Sequence, residues 1–252
     1  MRRLPIMCFV LFLVNVSWLL WTGSSYGVQL ETHEEKAANL KQQATGGLFQ
    51  KWTFDQDQER NVPDGFELVR SDDQSPASWT VEVSKTAPSH PNVVAASSGC
   101  AQDCYQLLVA KGLDYEYPDL SVRFHVSDGA GAGGLVLGVR DAKNFYAAVV
   151  DSVQRKAHLL RISNGRRLSL AEASVHLKPV EWHSLRVQRN TIISKDFIEV
   201  YVDGTLVLSV EDQALGLGQV GFVLSGKSTM FFDSFHAVPL FSHRPLSSPP
   251  AY

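Results

Sequence analysis

Cysteine is scarce in this chain, with three in 252 residues: Cys8, Cys100 and Cys104. Neither Cys-x-x-Cys nor Cys-x-x-Cys-His occurs, which excludes thioredoxin-type redox chemistry and c-type haem attachment, and two thiols alone make no zinc site. A copper-type Cys-x-x-x-Cys site would need a histidine from elsewhere, with His90 the candidate. Net positive charge is missing too: the formal charge is −3, and Arg2 and Arg3 are the only charges in the first 27 residues, so the remainder is more acidic still. A nucleic-acid binder that tracks phosphates would carry a basic face, and none is present. There is no heptad pattern, no internal repeat, no Gly-x-Ser-x-Gly elbow and no Cys-His pair of nucleophilic type. The glycine-rich stretch from Asp128 to Gly134 lacks the Lys-Ser/Thr of a phosphate loop and joins strand to strand, which makes it a flexible turn.

One long apolar run is present, Leu4 to Trp21, behind Arg2 and Arg3. This is the outline of a secretory signal peptide over residues 1–27, and the small residues Ser25 and Gly27 place cleavage before Val28. An uncleaved anchor is the alternative, since a spanning helix needs roughly 17–25 apolar residues. Cleavage implies an extracytoplasmic location, periplasmic or secreted, with no membrane association afterwards. It also implies a compartment in which Cys100 and Cys104 can close a disulfide across a tight turn. Residues 28–48 are polar, a tether or a short helix with no consistent apolar face. Residues 49–238 form one domain, and residues 239–252, rich in Pro and Ser, form a frayed tail.

Within the domain, apolar residues alternate in Leu135, Leu137 and Val139 and again in Ile198, Val200 and Val202, the period of a strand that buries one face. Asp203-Gly204 lies between two such runs, and both central positions of a type I′ hairpin turn require positive φ. Repeated over about a dozen segments, this pattern predicts an all-β fold, a two-sheet antiparallel jelly-roll sandwich. The order of the segments resembles the concanavalin A-like lectin/glucanase superfamily, specifically its laminin-G-like and 3-keto-disaccharide hydrolase type. AGGLVLGVRDAKNFYA, EWHSLRV, VYVDGTLVLSVED, GQVGFVL and FFDSFHA carry the resemblance, preceded by WTFDQD, VPDGFE and WTVEV, so that it covers Phe49 to Val238. The resemblance implies a glycan or glycoconjugate partner. The expected function is a glycan-binding or surface-interaction module; the alternatives are a glycoside hydrolase of the 3-keto-disaccharide type and a structural envelope protein.

Sugar-binding grooves stack aromatics on sugar rings and offer Arg, Asn and Asp to hydroxyls. If Leu135, Leu137 and Val139 are core, Arg140 faces outward beside Gly138; if Leu185 and Val187 are core, Trp182, Ser184 and Arg186 share an outer face. Arg140, Asn144, Tyr146 and Arg186 are therefore the candidate contacts. Asn144 and Tyr146 enter through the resemblance, whose Arg and Asn-Tyr pattern is interrupted here by Phe145. The competing reading makes Tyr146 and Trp182 packing residues and the arginines solvated. Hydrolysis by the usual mechanism needs two carboxylates ~5–9.5 Å apart. The Glu-x-Asp-x-x-Glu strand motif is absent, leaving Asp151, Glu181 and Glu199 unpaired in sequence. The resemblance also implies calcium near the chain ends, with Asp55 and Asp233 as ligands, although Asp233 reads equally as a strand-end cap. His158, His176 and His183 fall on separate segments and predict no metal set.

Overall fold

The computed structural model describes residues 49–70, 77–100, 104–127 and 130–240. The expected signal peptide, the 28–48 segment, residues 128 and 129 of the glycine-rich stretch and the tail from residue 241 lie outside them. Fifteen strands follow in chain order: β1 (Gln50–Trp52), β2 (Phe66–Arg70), β3 (Ala77–Val83), β4 (Asn92–Gly99), β5 (Tyr105–Tyr115), β6 (Pro118–Val126), β7 (Ala132–Asp141) and β8 (Asn144–Asp151). The remainder are β9 (Lys156–Ser163), β10 (Arg166–Ser174), β11 (His183–Ile192), β12 (Lys195–Val202), β13 (Thr205–Glu211), β14 (Gly218–Ser225) and β15 (Lys227–Pro239). They make two antiparallel sheets, a larger one ordered β13-β12-β11-β6-β15-β4-β3 with β1 added to β15, and a smaller one ordered β10-β9-β8-β7-β14-β5-β2. This is the predicted sandwich.

Inward alternation builds its core. Leu120, Val122 and Phe124 of β6 and Ile198, Val200 and Val202 of β12 face the inter-sheet space. At its centre Phe222 of β14 meets five rings: Phe235 at 4.7 Å, Phe232 at 5.0 Å, Phe66 at 5.8 Å, and Phe54 and Trp79 at 6.3 Å. A Phe this buried removes its whole side chain from water, worth about 1.5–3 kcal/mol by transfer alone.

Two expectations about β7 are corrected. Gly138 adopts φ +60 at a bulge between Leu137 and Asp141. Leu135 and Leu137 reach the inter-sheet core, but the extra residue turns Val139 outward to join Val136. Gly133 and Gly134 belong to the strand and not to a flexible turn. A Cβ on Gly134 would stand 2.1 Å from the Ala148 carbonyl oxygen, and one on Gly133 2.6 Å from that of Val223.

The Asp203-Gly204 hairpin has φ +49 and +79, as its sequence predicts. The β11–β12 hairpin uses Ile193 and Ser194 at φ +49 and +66 instead. A β-branched residue is strained there, and Ile193 is 93% exposed, so packing does not compensate. Cys100 and Cys104 are bridged, with their Cα atoms 6.0 Å apart.

The β13–β14 connection passes from one sheet to the other and is clamped on both sides. Asp212 accepts hydrogen bonds from the Tyr146 hydroxyl, from Nη1 of Arg161 at 2.5 Å and from the Ala214 amide at 2.9 Å. Arg189 of β11 donates to the Leu215 carbonyl at 2.5 Å and to Asp196 at 2.6 Å. Burial pushes the Asp212 carboxyl up, but the hydrogen bonds from Tyr146, Ala214 and Arg161 outweigh it and hold the group below its ordinary value. Burial, with Asp212 alongside, pushes Tyr146 up to about 12.

Replacing Ile193 by Gly should raise stability by about 1 kcal/mol, the cost of a left-handed L-residue, measured by urea denaturation. Asp212→Asn should lower stability by about 2–3 kcal/mol at neutral pH, since charge-assisted bonds are lost. A depressed carboxyl contributes fully above its unfolded value and loses that share as pH falls through its folded one. The gap in Tm between the two proteins should therefore close as pH drops below the ordinary 3.8.

Candidate binding face

The two outer faces of the sandwich are chemical opposites. That of the smaller sheet is apolar, built by Leu107, Val136, Phe145 and Val223 among others. That of the larger sheet is polar and aromatic, and antiparallel register arranges it in rows. Tyr201, Arg186, Ser121 and His236 lie opposite one another across β12, β11, β6 and β15. Beside them run Glu199, Gln188 and Asp119, and on the other side Ser184, Arg123 and Asp233.

Arg186 is the centre of this face. It donates through Nε to Asp119 Oδ1 at 2.7 Å and through Nη2 to Oδ2 at 2.5 Å, a bidentate fork, and its guanidinium carbon stands 5.3 Å from the Tyr201 ring centroid. The hydrogen bond from Arg186 to Asp119 drives the guanidinium further above its ordinary value, so the charge is permanent. Tyr201 donates to Glu199 Oε2 at 3.0 Å, which also accepts from Gln188 Nε2 at 2.5 Å. Burial, then Glu199, raises the Tyr201 hydroxyl, keeping it a donor.

Toward the opposite end of β11 an aromatic ladder crosses the same sheet: Trp182 lies 5.6 Å from the His125 ring, and His125 stacks on Phe231 at 6.0 Å. The connection between β3 and β4 borders this end, its Thr86 hydroxyl 3.4 Å from the Trp182 indole nitrogen. Asp55 and Asp233 hold that connection down. Ser89 donates its amide to Asp233 and its hydroxyl to Asp55, both at 2.6 Å; Asn92 donates to the other oxygen of Asp55 and Ser234 to that of Asp233. Every oxygen of the two carboxylates thus faces a protein donor. Burial raises the Asp233 carboxyl, whereas at Asp55 the donors outweigh burial and lower it.

Of the residues picked from sequence, Arg186 and Glu199 share this face. Tyr146 does not: it is fully buried between the sheets, its hydroxyl spent on Asp212, which corrects its expected outward placement. Asn144 secures the β7–β8 and β9–β10 hairpins by donating to Asp141 and accepting from the Asn164 amide at 3.0 Å. Arg140 is exposed at the end of β7, on the smaller sheet. Asp151 caps the β8–β9 turn, accepting from the amides of Val153 and Gln154, and Glu181 pairs with Lys178 at 3.4 Å. Asp151, Glu181 and Glu199 thus each have a different protein partner. Asp119, the partner that fixes Arg186, was missed; it lies 67 residues away, and no local signal links them.

His158 is on the smaller sheet beside Glu172, His183 is held on the larger one by Asp203 and the Lys178 carbonyl, and among the described residues no three His, Cys, Asp or Glu side chains form a metal set. The disulfide removes the thiolates that a copper site would need. Gly221 to Ser228 matches the spacing of a phosphate loop, yet it runs from strand β14 directly into strand β15, with no helix to supply N–H groups.

No family model matches the sequence. A levanase from Bacillus subtilis is 26% identical over 130 residues, which are 51% of this chain and 18% of the levanase, so the chain spans under a fifth of that relative. Among solved structures, the carbohydrate-binding module CBM66 from Bacillus subtilis superposes with a TM-score of 0.53 at 20% identity, covering 69% of this chain and 94% of that one. The GH43 protein BlXynB from Bacillus licheniformis gives 0.51 at 16% identity, over 75% of this chain and 39% of that one. A protein of unknown function with a galectin-like fold, also from Bacillus subtilis, gives 0.50 at 9% identity, over 68% and 91%. The chain therefore shares the two-sheet antiparallel sandwich fold of these structures.

Proposed function

We propose that this chain is an exported glycan-binding module whose contact surface is the outer face of the larger sheet. The observation that carries the reading is the exposed assembly of Arg186, Asp119 and Tyr201, a fixed fork of donors and acceptors beside an aromatic ring. Two of the five guanidinium N–H groups are spent on Asp119, which leaves the others for hydroxyls, and the Tyr201 ring offers a stacking plane. The likeness to a carbohydrate-binding module supports the reading. Export rests on the leader and on the Cys100–Cys104 bridge.

A glycan array probed with the full chain is the test, with levan as the first ligand because a levanase is a relative. Arg186→Ala should weaken binding about tenfold or more, the effect of a central contact. Its thermal unfolding should move little, because an exposed ion pair contributes about 0–1 kcal/mol. Arg140→Ala, on the other sheet, should leave binding unchanged. Equal binding by Arg186→Ala would move the site elsewhere, and turnover of a glycoside would replace the binding reading with the hydrolase.

A further inference from the structure

The ladder of Trp182, His125 and Phe231 takes no part in the assembly around Arg186, yet both stand on one outer face. Strand parity puts them there: Ser184 and Arg186 point outward from β11, and Ser121, Arg123 and His125 from β6. All three rings of the ladder are partly exposed, and they touch in turn from the start of β11 across β6 to β15. Their surroundings hold them still. The Trp182 indole nitrogen meets the Thr86 hydroxyl, Nδ1 of His125 lies 3.1 Å from the Glu181 carbonyl oxygen, and Nη2 of Arg123 donates to the Trp182 carbonyl at 2.9 Å. A strip of fixed rings on a polar face gives a ligand apolar contact at little cost in ordering.

We propose that this face takes the interior of an unbranched, neutral polysaccharide lying along β11, held at two stations: Arg186 with Tyr201, and Trp182 with His125 and Phe231. The inference rests on the glycan-binding reading and adds to it the length and direction of the ligand. Four residues of β11 separate Arg186 from Trp182, about 13 Å of strand, so one sugar reaches one station and roughly three consecutive rings are needed to join them. Between the stations Ser184 and Arg123 lie opposite each other, and the guanidinium N–H groups of Arg123 not spent on Trp182 face the hydroxyls of a passing chain. The path across the strands is poorer. From Arg186 it runs through Ser121 and His236 to Lys51 and meets no second cluster of rings. Enclosure is how a site selects a small ligand or a terminal unit. Neither the cavity of about 490 Å³ beside Cys100 nor that of about 190 Å³ between Val126 and Pro179 is lined by Arg186, Tyr201 or Trp182. An open face with two separated stations fits the middle of a chain.

The test is titration calorimetry of the full chain with levan, xylan and β-glucan oligosaccharides of two, four, six and eight units. Affinity for the series that binds should rise about tenfold or more between two and six units, because the second station engages a ligand already held at the first. Trp182→Ala should remove that gain and leave disaccharide binding at Arg186 as it was, and His125→Ala, which keeps the indole, should do the same in part. Arg186→Ala should weaken every length. Equal affinity at all lengths, with Arg186→Ala still weakening it, would overturn the extended ligand and leave a single-station glycan binder. Ladder variants that lose disaccharide and octasaccharide binding alike would also overturn it, since the rings would then only support the fold. No binding of any oligosaccharide by the unsubstituted chain would overturn this inference and the glycan-binding reading together.

Discussion

The contact on which the sandwich depends is the packing of rings around Phe222. That residue stands on β14, an interior strand of the smaller sheet, and its neighbours come from four other parts of the chain: Phe54 after β1, Phe66 on β2, Trp79 on β3, and Phe232 and Phe235 on β15. All five are far from it in sequence or on the opposite sheet, so the cluster forms only when the sheets meet. Aromatic groups suit this task because each buries a large area with few rotatable bonds. Gly221 beside it has no room for a side chain, since a Cβ would stand 2.1 Å from the Leu108 carbonyl oxygen. Size on one side of β14 and its absence on the other are two halves of one constraint.

Around that centre the polar groups are disposed by need. Asp212, Arg161, Tyr146 and Arg189 secure the connection between the sheets, where backbone groups have no strand partner and need side chains to bond. Asp55, Ser89, Asn92 and Asp233 do the same for the β3–β4 connection. What remains on the outer face of the larger sheet is not required by either seam. This is why Arg186, Asp119 and Tyr201 stand out as groups with chemistry to offer.

Fold and site were legible in the sequence to different depths. The sandwich could be read because period-2 alternation in β6, β11 and β12 is local, and because Asp203-Gly204 announces its own turn. The outward direction of Arg186 followed from the same alternation. Val139 failed because Gly138 inserts a bulge that shifts the parity of everything read through it, and parity decides which face a strand residue occupies, whereas Tyr146 entered through the resemblance with no local pattern to place it. Asp119 failed for another reason: the pairing of β6 with β11 is long-range, and nothing near either strand specifies its register. The donors around Asp55 and Asp233 were equally invisible, since they arrive from a connection with no periodic pattern.

The fork between Arg186 and Asp119 has a further meaning for encounter with a ligand. Each charge is cancelled by its neighbour within hydrogen-bonding distance, so the pair itself projects little field into solution. Without such a field, a diffusing ligand is neither drawn in nor turned away by its charge. Recognition is left to contact geometry alone, which suits uncharged polyols and stays nearly indifferent to ionic strength. Where salt is set by the surroundings, that indifference is itself a functional property.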